Sequence, residues 1–180
     1  MEQLDQALAN TIRVLAQTVQ EICLRRNMDE ACPTHLTSNQ FLILNLLRMK
    51  RRFAVGEIAR ILQVTPPAIC RAVDKLEELD LARRRVRPSD RRTHDVVLRP
   101  AGREIMDRFI TVSERRQARS LACFDHVEKE LLVTLLRRLI HTTLEDEKDT
   151  KAICLLCIDR DGDNCALPES DTRCLRRGDN

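Results

Sequence analysis

A chain of 180 residues, 43% hydrophobic and 33% charged, is long enough for one sizeable core plus a small appendage, and its composition suits a helix-rich globular protein. A net charge of only +3 excludes a chain that is basic throughout, and four Phe with no Trp or Tyr leave too few rings for single-strand binding by base stacking. No apolar run is long enough to span a membrane, and the polar start MEQLDQALAN lacks a basic-then-apolar export signal, so a cytoplasmic location without membrane contact is expected.

Leu4, Leu8, Ile12, Leu15, Val19 and Ile22 recur every three or four residues, which predicts an amphipathic helix within residues 1–30. Asn27 to Pro33 reads as a loop. Thr37 and Gln40 then have capping-box spacing, with Leu36 and Phe41 placed for a hydrophobic staple. The helix they open carries Phe41, Leu44 and Leu47 inward and ends near Met49. Lys50, Arg51 and Arg52 follow, where positive charge suits the helix dipole or a nearby polyanion.

Residues 34–100 form the most informative segment. Val55 to Leu62 reads as a short helix with Ile58, Ala59 and Leu62 toward a core. After a tight turn, Thr65 suits an N-cap and Pro66 the first helical position, where a missing N–H costs nothing. Ile69, Val73, Leu76 and Leu79 are spaced to face a core, while Pro67, Ala68, Arg71 and Lys75 fall elsewhere. Ala82–Arg87 and His94–Leu98 alternate as strands, with Pro88 to Arg92 as the turn. Between Ala82 and Arg92 stand six arginines and one aspartate. Base clustered on one hairpin says more about a polyanionic partner than the total charge does.

That order is a helix-turn-helix followed by a wing, which sets one helix in the DNA major groove and a hairpin beside it. The first turns of the reading helix present Thr65, Pro66, Pro67, Ala68 and Arg71. Of these, Arg71 is best able to bond guanine in two places. Thr65 and the free N–H groups suit a phosphate. Pro67 and Ala68 offer apolar contact only, so readout of DNA shape gains weight.

Beyond the wing, Ala101 through Ile105, Phe109 and Val112 to Leu121 predicts a long helix, and Asp125-His126 a break. A last helix carries Leu131, Leu132, Leu135, Leu136, Leu139 and Ile140 in a stripe broad enough for two surfaces. Residues 101–148 are therefore expected to pack with the first helix against a second copy of the chain, or within one chain. The fold class expected is mainly α with a small β-hairpin wing, a winged helix-turn-helix flanked by long dimerisation helices.

The segments EIARIL (57–62), AICRAVDKLE (68–77), SDRR (89–92) and VVLRPAG (96–102) together resemble the MarR (multiple-antibiotic-resistance regulator) family of bacterial winged-helix repressors. The resemblance covers about half the chain. It implies a homodimer joined through its terminal helices, bound to an inverted-repeat operator in double-stranded DNA and responsive to an effector that the sequence does not identify. It implies, too, that a wing arginine, Arg92, enters the minor groove, oriented by Asp90. Arg84, Arg85, Arg87 and Arg91 then add phosphate or groove contacts. VVLRPAG departs from the family's usual leucine-threonine helix start, because Arg99-Pro100 supplies no hydroxyl cap.

Residues 149–180 are a cysteine-rich tail. Cys154, Cys157, Cys165 and Cys174 include one C-x-x-C, and a reducing compartment makes metal or redox use the usual reason for such a concentration. An iron–sulfur cluster, zinc, thiol–disulfide sensing and no bound group all remain open. DRDGDN (159–164) looks like the start of a calcium loop, but Asn164 stands where glycine is wanted and Ser170 where glutamate is wanted. Cys23 and Cys123 invite a peroxide-sensing alternative. The tyrosines that hold the reactive cysteine in peroxide-sensing relatives are missing, so packing as small hydrophobes is the plainer reading.

His35, His94, His126 and His141 are scattered without motif context, and no enzymatic constellation is expected. The competing class is a metalloprotein whose winged helix contacts protein rather than DNA.

Overall fold

The computed structural model describes residues 2–50, 52–87, 90–144 and 165–166. α1 (Glu2–Thr18) continues through a π-helical stretch, Val19–Arg25, into α2 (Arg26–Ala31). α3 (Ser38–Met49), β1 (Phe53–Ala54), α4 (Val55–Leu62) and α5 (Pro66–Glu78) follow. β2 (Ala82–Arg87) and β3 (Asp90–Leu98) form the wing, and α6 (Pro100–Leu121) and α7 (His126–Thr143) complete the described fold. The sheet is antiparallel in the order β1-β3-β2, with Phe53 opposite Val96 and Ala82 opposite Leu98.

The core lies where α3, α4, α5, β3 and α6 meet. Leu44, Ile58, Ile69, Leu76, Val96, Met106 and Ile110 are buried there, and the rings of Phe41 and Phe109 stack tilted at 4.6 Å between centroids. Each such side chain stabilises the fold by about 1.5–3 kcal/mol on burial. In α4, Ile61 is buried and Leu62 only half so, a shift of one position from the sequence expectation.

Local chemistry sets most helix starts. Thr37 and Gln40 exchange the two hydrogen bonds of a capping box, at 3.4 and 2.8 Å. Asp125 and Glu128 do the same, both at 2.9 Å. Glu57 reaches back to accept the Ala54 N–H at 2.7 Å, which starts α4 without a hydroxyl cap. Arg99 likewise provides no side-chain cap to α6, as the sequence indicates.

Two expectations need correcting, and one element was not foreseen. Asn27 to Pro33 is not a loop from its start, because α2 runs to Ala31. Packing accounts for this: Met28 and Ala31 are buried, Asn27 Nδ2 donates to Ser113 Oγ at 2.9 Å, and Glu30 pairs with Arg115 and, at 2.7 Å, with Arg116 of α6. The second strand of the wing begins at Asp90, four residues before the expected His94. The short strand β1, unforeseen, adds a third member to the sheet because Phe53 is buried against the core.

α1 and α7 contain no buried residue. Leu4, Leu8, Leu15, Val127, Leu131 and Leu135 are all exposed, so the stripes read from the sequence exist but face outward in the single chain. A cleft of about 910 Å³ opens between them, floored by Ile12, Leu24, Met28, Phe41 and Leu136 and edged by Arg25 and His35.

Candidate nucleic-acid interface

α5 stands where the sequence places the candidate reading helix. Thr65 stands at its N-cap in extended conformation, and Pro66 opens the first turn. The Thr65 hydroxyl makes no capping bond, and its carbonyl accepts the N–H groups of Ala68 and Ile69 at 3.0 and 3.2 Å. Ile69, Val73 and Leu76 are sealed inside, which turns the opposite stripe outward. Thr65, Pro66, Pro67, Arg71 and Lys75 are exposed and Ala68 is half-buried, so these side chains share one accessible region. Lys75 is tied to Glu78 at 2.8 Å, whereas Arg71 makes no ion pair among the described residues.

The turn between α4 and α5 is set by Gln63 in the left-handed region, φ 55°, with the Val64 N–H bound to the Ala59 carbonyl. The corner between α5 and β2 is set by Asp80, φ 59°. Arg99 Nε lies 2.8 Å from the Asp80 carboxylate, which ties the start of α6 to that corner.

The wing arginines divide into two groups. Arg85 is exposed and makes no ion pair among the described residues. Arg84 is three-quarters buried, 2.7 Å from Asp74 and in closer contact with Glu77. Arg87 donates to the buried Asp95 carboxylate from Nε at 3.0 Å and lies 3.7 Å from Glu57. The sequence named Arg84, Arg85 and Arg87 alike as DNA contacts and did not single out Asp74, Glu77 or Asp95. A signal was available, since Glu77 and Arg84 are only seven residues apart and the loop between them is short. Asp90, Arg91 and Arg92 lie on β3 or at its start, but their side chains lie outside what is described.

Burial would lower the pKa of Arg84, but hydrogen bonds and charge from Asp74 and Glu77 outweigh it, and the net shift is upward. Its guanidinium is therefore permanently charged and twice paired.

Of the four tail cysteines, Cys154, Cys157 and Cys174 lie outside the described residues. Cys165 is half-buried in a small apolar cluster with Met49, Ile140 and Leu144, and its carbonyl accepts from Arg137 Nη2 at 3.3 Å. Among the described residues no group of three or more His, Cys, Asp or Glu side chains is arranged to hold a metal ion. Cys23 is half-buried in the π-helical stretch and Cys123 is exposed at the α6–α7 turn. No described helix is long and apolar enough to cross a membrane.

Residues 36–93 match the family model described as MarR family. Solved structures share the fold. The YusO protein from Bacillus subtilis is 23% identical, with a TM-score of 0.67 over 78% of this chain and 97% of that one. A MarR family protein from Bacillus stearothermophilus is 21% identical, with a TM-score of 0.68 over 81% and 99%. A mutant of MepR from S. aureus, bound to an oligodeoxyribonucleotide, is 16% identical, with a TM-score of 0.57 over 76% and 98%.

Proposed function

We propose that this chain, which carries a MarR-family domain in a winged-helix fold, is a homodimeric regulator of transcription that binds an inverted-repeat site in double-stranded DNA and represses by occupying it. The match of residues 36–93 to the MarR family supports a regulator rather than an enzyme. The observation that carries the reading is the exposed stripe Thr65, Pro67, Arg71 and Lys75 on α5 beside the cationic wing. A helix sealed to the core on one side and open on the other is what the major groove admits. The MepR complex supports DNA as the partner.

Dimerisation is supported by the outward stripes of α1 and α7. Leu4 is 74% exposed, Val127 71% and Leu131 58%, a density of exposed apolar side chains that marks an interaction surface. Two copies joined there present two reading helices, which match half-sites about one helical turn apart.

The test is fluorescence anisotropy against duplexes recovered from a randomised pool, repeated over a range of salt. Specific binding whose log affinity falls steeply and linearly with log salt is expected, because each neutralised phosphate releases counterions. Salt-insensitive binding, or none, overturns the reading in favour of a winged helix that contacts protein.

A second reading concerns the signal. The tail holds a metal centre through Cys154, Cys157, Cys165 and Cys174, an iron–sulfur cluster or zinc. The seat of Cys165 favours a link to the DNA-binding head. Its cluster joins α7, through Ile140, to the end of α3, through Met49. Binding energy released at four thiolates would add stability to a segment poor in large apolar residues. Absorption near 400 nm in protein purified without oxygen marks a cluster, and a colourless protein with about one zinc per chain marks the other metal. Neither metal leaves a thiol pair or a small ligand as the signal.

A further inference from the structure

β2 carries four arginines in six residues, and Arg84 among them is turned toward α5. The Arg84 backbone N–H donates to Glu77 Oε1 at 2.7 Å. Its Nη1 contacts both Asp74 Oδ1 and Glu77 Oε2, and its Nη2 donates to the Cys70 carbonyl at 3.2 Å. All three partners belong to α5. Positions 70, 74 and 77 follow one another at four and three residues, so they form a single face of that helix. Arg84 is thus bound to the reading helix across two turns, by main chain and side chain together.

We propose that Arg84, with Asp74 and Glu77, is a positioning group and not a DNA contact: it locks the wing to the reading helix so that both meet the duplex as one rigid unit. This rests on the DNA-binding reading above. The connection it braces is short, a corner around Asp80 in the left-handed region. A small change at that corner would swing the wing tip by several times as much, because the hairpin is long relative to the hinge. A wing that must reach one groove while α5 occupies the next needs that angle fixed before binding, since any freedom left is lost as entropy on association. The Arg84 guanidinium keeps its charge, but with two carboxylates around it the cluster is net negative and offers a phosphate nothing, whereas Arg71 and Arg85 make no ion pair among the described residues.

The sign of one substitution separates the two roles. Glu77→Ala removes negative charge from the DNA side of the molecule. If Arg84 were a phosphate contact, freeing it would tighten binding to every sequence. If Arg84 positions the wing, affinity for the tightest duplex recovered from a randomised pool falls roughly tenfold, the scale of a lost groove contact, while binding to an unrelated duplex holds or tightens. Arg84→Lys keeps the charge but not the fork, so it should follow Glu77→Ala, whereas a phosphate contact would survive it. Hydrogen exchange without DNA gives an independent readout. Amides of β2 and β3 should exchange faster in both variants, with the α3 and α6 amides unchanged. Unaltered exchange in the hairpin overturns the lock whatever the DNA result, and a loosened hairpin with undiminished operator affinity overturns the positioning role. Failure of the parent chain to bind any duplex would sink the DNA reading and, with it, this role.

Discussion

Two helical glycines should respond oppositely to the same substitution. A Cβ built on Gly102, near the start of α6, would lie 2.1 Å from the Leu81 carbonyl oxygen and 2.9 Å from Leu98 Cδ1. An ordinary carbon–oxygen contact is about 3.3 Å, so α6 and the corner after α5 must part by about 1 Å. That carbonyl also accepts the Arg99 N–H at 3.0 Å, a bond the displacement weakens. Overpacking costs about 1–3 kcal/mol, and a strained or lost buried hydrogen bond a further ~1–3 kcal/mol. The better helix propensity of alanine returns about 1 kcal/mol. Gly102→Ala should therefore destabilise by about 3 kcal/mol, which lowers Tm by roughly 6–12 °C for a chain of this size. Around Gly56, in α4, nothing lies within 4 Å of a built Cβ. Gly56→Ala should stabilise by about 0.5–1 kcal/mol through the entropy of the unfolded chain. Urea unfolding at one fixed protein concentration checks both, with an unchanged m-value as the sign that the end states are the same. If the two variants shift the midpoint in the same direction, the packing argument at the α5–β2–α6 corner is wrong. α6 leads from the wing toward the α6–α7 turn, so Gly102→Ala should also disturb the placement of the DNA-reading head, seen as weaker operator binding below the melting range.

Arg71→Ala should cost about 1–3 kcal/mol on the preferred duplex and flatten discrimination at one base pair per half-site; an equal loss on every sequence would make Arg71 a phosphate contact instead. Leu131→Asp, at a site already 58% exposed in the single chain, should leave the fold intact by circular dichroism yet shift light-scattering mass from dimer to monomer, and an unchanged dimer would rule α7 out of the interface. Replacing Cys154 and Cys157 together by Ser should remove bound iron or zinc and change operator affinity under anaerobic reducing conditions. Metal lost with affinity unchanged leaves the site structural and removes only its sensing role.

The sequence alone determined the reading of the chain wherever the governing interactions are short-range. Val55–Leu62 and Ala82–Arg87 stand where the periodicity set them, and the box at Thr37 and Gln40 forms as its spacing requires. The Asp125 break is likewise a helix start, because a carboxylate three residues from a glutamate can satisfy both exposed N–H groups locally. The outward face of α5 follows from the spacing of Ile69, Val73 and Leu76, and with it the exposure of Arg71 and Lys75. Tertiary structure decided the rest. Asn27–Ala31 is helical because Asn27 and Glu30 find partners on α6, more than eighty residues away, which no window of local sequence contains. Six neighbouring arginines look alike in a string of letters. Arg84 and Arg85 part ways only because adjacent strand residues point to opposite sides, one toward the carboxylates of α5 and the other toward solvent. An arginine's role depends on which acid it meets, and folding decides that meeting.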